Sequence, residues 1–136
     1  MNFFSLAFLM TSMFFLFSCS QNGPTKIITG KDACDYCKMT ITDEKYAAEL
    51  LTEKGRVYKF DDIRCLSGYK TSNPEKEAQS TSYLVDYSSG EFIAETSATL
   101  ITGGSIKSPM GGNTQAYKDA TKAQKAAEEL GAQIQP

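Results

Sequence analysis

The chain has 136 residues, a formal net charge of -2 and no histidine. This length has room for one domain rather than several. Because the chain is nearly neutral and has no basic cluster, it lacks the electrostatic footprint of a nucleic-acid-binding protein. Histidine, the commonest general base, is absent, and no nucleophile–base pair, phosphate-binding loop or pair of carboxylates stands out. We therefore do not expect an enzyme.

The N-terminal residues 1–18 carry no charge and are mostly apolar. Their apolar run is too short for a comfortable membrane span and lies where a secretory signal peptide has its apolar region. The segment Leu16-Phe17-Ser18-Cys19 resembles a bacterial lipoprotein box, in which a small residue precedes the cysteine that is acylated. We expect residues 1–18 to be a lipoprotein signal peptide and Cys19 to be lipidated. The alternative is a plain signal peptide or a single membrane anchor.

The residues after Cys19 are expected to connect the lipid to the folded domain. More than one acyl chain on Cys19 would hold the protein stably on a membrane surface. Residues 19–31 are rich in polar residues, glycine and proline and predict a flexible tether, so the domain is expected to span residues 32–136. Ser20 does not favour retention at the inner membrane, which indicates a periplasm-facing protein on the outer membrane.

The domain is expected to have an α+β fold. Alternating apolar and polar residues predict strands at 39–42, 46–52, 57–60, 83–87, 91–94 and 99–102. Helices are predicted at 62–69, where Asp61 and Asp62 would cap the first turn, and at 114–130, where Gly131 would end the helix. The polar segment 71–82 is predicted to be a surface loop. Together they indicate two small strand-strand-helix-strand units with antiparallel hairpins, a short mid-chain helix and a longer C-terminal helix.

The segment from Cys34 to Met39 contains two thiols and a thioether within six residues. Soft sulfur ligands without imidazole favour Cu(I). Once Cys19 is acylated, Cys34, Cys37 and Cys65 remain, and an odd number of thiols cannot all pair within the chain. In an extended segment the side chains of Cys37 and Met39 would point to the same face.

An ordered series of motifs along the chain resembles the NosL family, the lipoprotein accessory factors of nitrous oxide reductase that carry copper. The motifs are Tyr36-Cys37-Lys38-Met39, then Phe60-Asp61-Asp62 with Cys65-Leu66, then Tyr83-Leu84-Val85-Asp86-Tyr87, then Pro109-Met110-Gly111. None of these motifs is specific alone; the ordered set is.

The resemblance implies a membrane-anchored Cu(I) chaperone with Cys37, Met39 and Met110 as copper ligands. Its partner would be an apo copper enzyme, nitrous oxide reductase by resemblance. Many relatives have glycine at the position of Lys38, and in some a histidine contributes to copper binding. This chain has no histidine but has the additional thiol of Cys34, which we take as a further candidate ligand.

Several alternatives stay open from the sequence. Cys34 and Cys37 could form a disulfide or a thiol–disulfide redox pair, or the protein could be a metal-free interaction lipoprotein. Structural zinc prefers four nitrogen or sulfur ligands, and this chain offers three thiols. Cys65, on the predicted short helix, is expected to be a buried small hydrophobic residue rather than a ligand. For Asp61 and Asp62, ligand positioning is the alternative to capping, and a homodimer could complete a sparse ligand set.

Overall fold

The computed structural model describes residues 22–136. The predicted signal peptide and Cys19 lie outside the described residues. Within residues 22–136, no helix has both the length and the apolar character needed to cross a membrane. The strands are β1 Ala48–Thr52, β2 Val57–Phe60, β3 Ser80–Val85, β4 Phe92–Ala94, β5 Thr99–Thr102, β6 Thr114–Tyr117 and β7 Gln133–Ile134. The α-helices are α1 Ile63–Ser72, α2 Pro74–Glu77 and α3 Ala120–Leu130.

The strands form two antiparallel sheets that repeat one arrangement. The first sheet has the order β2-β1-β3-β4 and the second has the order β6-β5-β7. In each sheet two consecutive strands form a hairpin, a helix follows, and the next strand pairs with the free edge of the first strand. The fold is therefore two strand-strand-helix-strand units, with β4 added to the first, and the predicted α+β class is confirmed.

The hairpins form where the turn residues predict them. Leu51 pairs with Val57 across the glycine-containing turn between β1 and β2. Val85 pairs with Phe92 across the second hairpin turn, in which Gly90 has a φ of 76°. A positive φ is readily adopted by glycine, which has no Cβ to clash with the backbone, so the turn chemistry fixes these two registers.

Three predicted elements differ from the structure. Residues 39–42 make only an isolated bridge, between Ala33 and Thr40, instead of a strand. The predicted loop at 71–82 contains the end of α1, the short helix α2 and the start of β3. The first residues of the predicted helix at 114–130 form β6, because Asp119 caps α3 with hydrogen bonds to the amides of Thr121 and Lys122. A cap at Asp119 places the start of α3 at Ala120 and leaves the preceding residues to pair with β5.

The segment assigned to the tether contacts the first sheet. Ile27 is buried with Ile41, Ala47 and Val85. The backbone N–H and the hydroxyl of Thr25 donate to the two carboxylate oxygens of Glu49, at 2.7 and 2.8 Å. Ordered packing in the described residues therefore begins before the predicted domain boundary at residue 32.

The largest core cluster lies between the first sheet and α1. The helix presents Ile63, Leu66 and Tyr69 to this sheet, and the strands contribute buried residues that include Leu50, Phe60 and Leu84. Two cysteines, Cys34 and Cys65, are buried in the same cluster.

Asp86 connects the two sheets. Its carboxylate accepts hydrogen bonds from the hydroxyls of Ser88 (2.9 Å) and Ser89 (2.7 Å) and from the Lys118 amide (3.2 Å). Directly after it, the Tyr87 amide donates to the Ala116 carbonyl at 2.8 Å. Burial raises the pKa of Asp86, but the hydrogen bonds from the serines and the Lys118 amide outweigh burial and hold the pKa below its usual value.

We expect Asp86→Asn to lower the free energy of unfolding at pH 7 by about 1–3 kcal/mol, because an amide replaces a charged acceptor. A folded-state pKa below the unfolded value stabilises the fold above the unfolded pKa, and this contribution is lost as the pH falls through the folded-state pKa. The difference between wild type and variant should therefore shrink as the pH falls below about 4, the usual carboxyl pKa. Urea unfolding at several pH values measures the difference in the free energy of unfolding between the two proteins. A difference independent of pH would contradict this account of Asp86.

Candidate metal centre

Three thiols meet at one point beside α1. The Sγ atoms of Cys34, Cys37 and Cys65 all lie within 4.8 Å of one another. Cys34 and Cys65 are 1% and 2% exposed, whereas Cys37 is only partly buried. All three are free thiols. The group is therefore open to solvent on the side of Cys37.

A tight turn holds Cys34 and Cys37 together. The Lys38 amide donates to the Cys34 carbonyl at 3.0 Å, and the Cys34 amide donates to the Met39 carbonyl at 2.8 Å. The turn is fixed to β2, because the Asp35 amide donates to the Lys59 carbonyl and the Lys59 amide donates to the Asp35 carboxylate, both at 2.8 Å. The positions of the two thiols are thus set by the edge strand of the first sheet.

Tyr36 fixes the same turn to α1. A Cβ placed on Gly68 would lie 2.7 Å from Cζ of the Tyr36 ring, so the ring lies directly on the helix backbone at this glycine. A larger residue at Gly68 would displace the ring. The glycine inside α1, which is otherwise unfavourable for a helix, therefore allows the cysteine turn to approach Cys65.

The residue between Cys37 and Met39 is not extended. Lys38 has a φ of 66°, in the left-handed region that glycine adopts more readily than other residues. The prediction that Cys37 to Met39 form an extended segment is therefore wrong. Met39 exposes 57% of its side chain.

The surroundings of the three thiols affect their pKa values differently. Burial raises the pKa of Cys34, but backbone N–H groups of Asp61, Cys37 and Tyr36 donate to its sulfur and bring the pKa below its usual value. Burial raises the pKa of Cys65 strongly, and the neighbouring thiols raise it further. Burial also raises the pKa of Cys37. A negative charge in the group is therefore stabilised first at Cys34.

Asp62 joins α1 to the loop that carries Met110. One carboxylate oxygen caps the helix by accepting from the Arg64 amide at 2.9 Å. The other accepts from the Ser108 hydroxyl at 2.6 Å and from the amides of Met110 at 2.9 Å and Gly112 at 3.4 Å. A Cβ on Gly112 would overlap this carboxylate. The predicted cap is confirmed at Asp62, which also fixes the position of the Met110 backbone.

Asp61, also predicted as a cap, has a different contact. Its carboxylate accepts from the Thr42 amide at 3.3 Å instead of from the first turn of α1. Its backbone N–H helps to lower the pKa of the Cys34 thiol. Asp61 therefore supports the cysteine turn rather than the helix.

The structure brings two of the predicted ligands together with a third thiol, that of Cys65. Cys34 and Cys37 lie together as expected, and Met110 packs against the core cluster that contains Cys34 and Cys65. The expectation that Cys65 is only a buried hydrophobic residue overlooked its place in the thiol group. Cys65 follows the Asp62 cap by three residues and therefore lies in the first turn of α1. This spacing is the sequence feature that places its thiol at the start of the helix.

We expect Asp62→Asn to lower the free energy of unfolding by about 2–4 kcal/mol, since an amide cannot replace a buried carboxylate that accepts four hydrogen bonds. Amide hydrogen exchange of residues 108–113 should become faster. The matched control is Asp119→Asn in the cap of α3; because asparagine caps a helix about as well as aspartate, it should cost well under about 1 kcal/mol and leave exchange in this loop unchanged. Equal exchange rates in residues 108–113 for Asp62→Asn and wild type would show that the carboxylate does not hold the loop.

Comparisons with known proteins give a family and a related structure. A search of curated proteins finds no match. The crystal structure of the copper chaperone NosL from Shewanella denitrificans is similar to the chain, with a TM-score of 0.69 and 22% sequence identity over 82% of this chain and 91% of that chain. The sequence profile of the NosL family matches residues 24–135, which include every residue of the candidate centre. The chain therefore belongs to the NosL family.

Proposed function

We propose that this protein is a Cu(I)-binding metallochaperone that carries copper as cargo. The observation that carries the proposal is the meeting of three thiols within 4.8 Å of one another, with the thioether of Met110 on a loop packed against the same core. Thiolate and thioether are the soft ligands that Cu(I) prefers, and the chain has no imidazole to recruit a borderline metal. Cys34, Cys37, Met39 and Met110 are the proposed ligands.

The arrangement suits a carrier that releases its ion. Cys34 is buried, Cys37 is partly exposed and Met39 is mostly exposed, so sulfur donors extend from the core to the surface. A thioether is not protonated at physiological pH, so Met39 and Met110 keep their affinity when a thiol is protonated. An acceptor protein could replace the outer donors one at a time without opening the core.

Family membership supports the same role. The similar structure from Shewanella denitrificans is described as a copper chaperone. The chain belongs to the NosL family, which agrees with the expectation that it is not an enzyme. We propose further that Cys19 is lipidated, that the domain faces the periplasm from the outer membrane, and that the acceptor is apo-nitrous oxide reductase.

The copper site is tested by anaerobic competition between residues 21–136, which lack the Cys19 thiol, and a chromophoric Cu(I) chelator. We expect about one tightly bound ion per chain or per dimer. Cys37→Ser, Met39→Leu and Met110→Leu should each weaken binding, because each removes one soft donor while leucine preserves apolar volume.

Ile134→Ala is the control for this titration, since Ile134 is a comparably exposed apolar residue on β7, an element that contributes none of the proposed ligands. Binding unaffected by Cys37→Ser and by both methionine substitutions would overturn the chaperone proposal. A reversible disulfide between Cys34 and Cys37 in that case would favour the thiol–disulfide alternative.

Delivery is tested by mixing the Cu(I)-loaded protein with copper-free nitrous oxide reductase and recording the copper content of each after separation. We expect transfer to exceed that from an equimolar Cu(I)–glutathione complex, because a chaperone hands over its ion in a protein–protein complex. Met39→Leu should slow transfer, since Met39 is the most exposed proposed ligand. Transfer no faster than from glutathione would reject this enzyme as the acceptor and leave Cu(I) binding to be judged by the titration.

A further inference from the structure

We propose that Cys65 is the third thiolate of a buried trigonal Cu(I) site formed with Cys34 and Cys37, and that Met39 and Met110 are the outer, exchange ligands of that site. This inference rests on the proposed function and adds a ligand from a different element. It also assigns the five sulfurs of the domain to an inner group and an outer group.

The sulfur positions fit a trigonal ion closely. With a metal–thiolate bond of about 2.3 Å, as in zinc thiolates, three sulfurs around an ion in their plane lie about 4.0 Å apart. The three Sγ atoms already lie within 4.8 Å of one another. Small side-chain rotations would therefore close the site around an ion without moving α1 or the cysteine turn.

The contacts of Cys65 set it apart from an ordinary core cysteine. Its Sγ atom lies within 4.8 Å of the Sγ atoms of both Cys34 and Cys37. It is 2% exposed and lies in the first turn of α1, whose start is fixed by the Asp62 cap. A side chain on a rigid, capped helix is held more accurately than one on a turn. Cys65 and Cys34 thus form the fixed part of the site, and Cys37 closes it.

The donor number favours copper over zinc. Among the described residues, the Sγ atoms of the three cysteines form a metal-ligand group without a carboxylate. Structural zinc prefers a closed set of four nitrogen or sulfur ligands. Three soft thiolates leave such a site one ligand short, whereas Cu(I) is satisfied by a soft set of low coordination number.

Loading the site involves no redox change. Each cysteine that binds Cu(I) passes from thiol to thiolate and gives its proton to solvent, and the copper stays Cu(I). Because Cys37 is the only partly exposed member of the group, the ion reaches the two buried sulfurs past Cys37. The methionines hold the ion on this outer side before and after it occupies the buried site.

The test compares wild type with Cys65→Ser and Cys65→Ala in the same anaerobic titration, together with X-ray absorption of the loaded proteins. We expect wild type to show three sulfur neighbours at about 2.3 Å, the distance in zinc thiolates. Both variants should lose at least one of these neighbours. Their Cu(I) affinity should fall by about 10- to 100-fold or more, since even residues that only support a metal ligand have effects of that size.

Two controls separate ligation from folding. Ile93→Val removes a methylene group from the same core cluster and should lower stability without changing Cu(I) affinity. Circular dichroism checks that each variant folds; Cys65→Ala leaves no buried hydroxyl, so it serves if Cys65→Ser does not fold.

Unchanged affinity and sulfur count in a folded Cys65 variant would overturn this inference and leave the proposed function intact. Failure of wild type to bind Cu(I) would instead remove the proposed function itself.

Discussion

The carboxylate of Asp62 is the constraint on which the candidate centre depends. It is completely buried and caps α1 in the first unit. It also accepts a hydrogen bond from the Met110 amide of the second unit. A buried carboxylate is costly unless its oxygens are hydrogen-bonded, and here the compensating donors come from two separate parts of the chain. Satisfying one charge therefore fixes the distance between the helix that carries Cys65 and the loop that carries Met110.

Comparing the two strand-strand-helix-strand units shows why Asp62 connects the helix and the loop. In both units an aspartate two residues after the hairpin caps the helix: Asp62 follows β2 and Asp119 follows β6. Asp119 is exposed and only caps, whereas Asp62 is buried and also binds the loop before β6. The two units are therefore alike in topology but not in chemistry, because only the first cap is covered by a loop of the other unit.

The sequence predicted the parts of the fold that depend on local signals. Alternating residues around glycine turns located the two hairpins, and aspartates before an apolar run located α1. The predicted start of the C-terminal helix at residue 114 is wrong. Residues 114–117 form β6, and the alanine-rich composition typical of a helix begins only after Asp119. The pairing of Thr99–Thr102 with both β6 and β7 is a long-range choice that no local pattern encodes.

In the candidate centre, too, the sequence predicted only the contacts between residues that are close along the chain. Cys34 and Cys37 are neighbours in sequence, so their proximity needed no tertiary information. Cys65 joins them where Tyr36 packs on Gly68, a contact between two distant segments that sequence spacing does not reveal. The left-handed backbone of Lys38 was also hidden, since lysine is not a residue that signals a positive φ.

In the proposed Cu(I) site, the burial of the sulfurs would account for both firm binding and release of the ion. Cys34 and Cys65 are shielded from water, so exchange of their bonds by an external ligand is sterically blocked. Cys37 and Met39 are increasingly exposed, so an acceptor can add its own donors there first. Each donor added by the acceptor would weaken the bonds between the ion and the inner thiolates. A released thiolate could then take up a proton, and burial favours the protonated form of Cys65. In this proposal, the same burial that would protect the ion from solvent would also favour its release once an acceptor has bound.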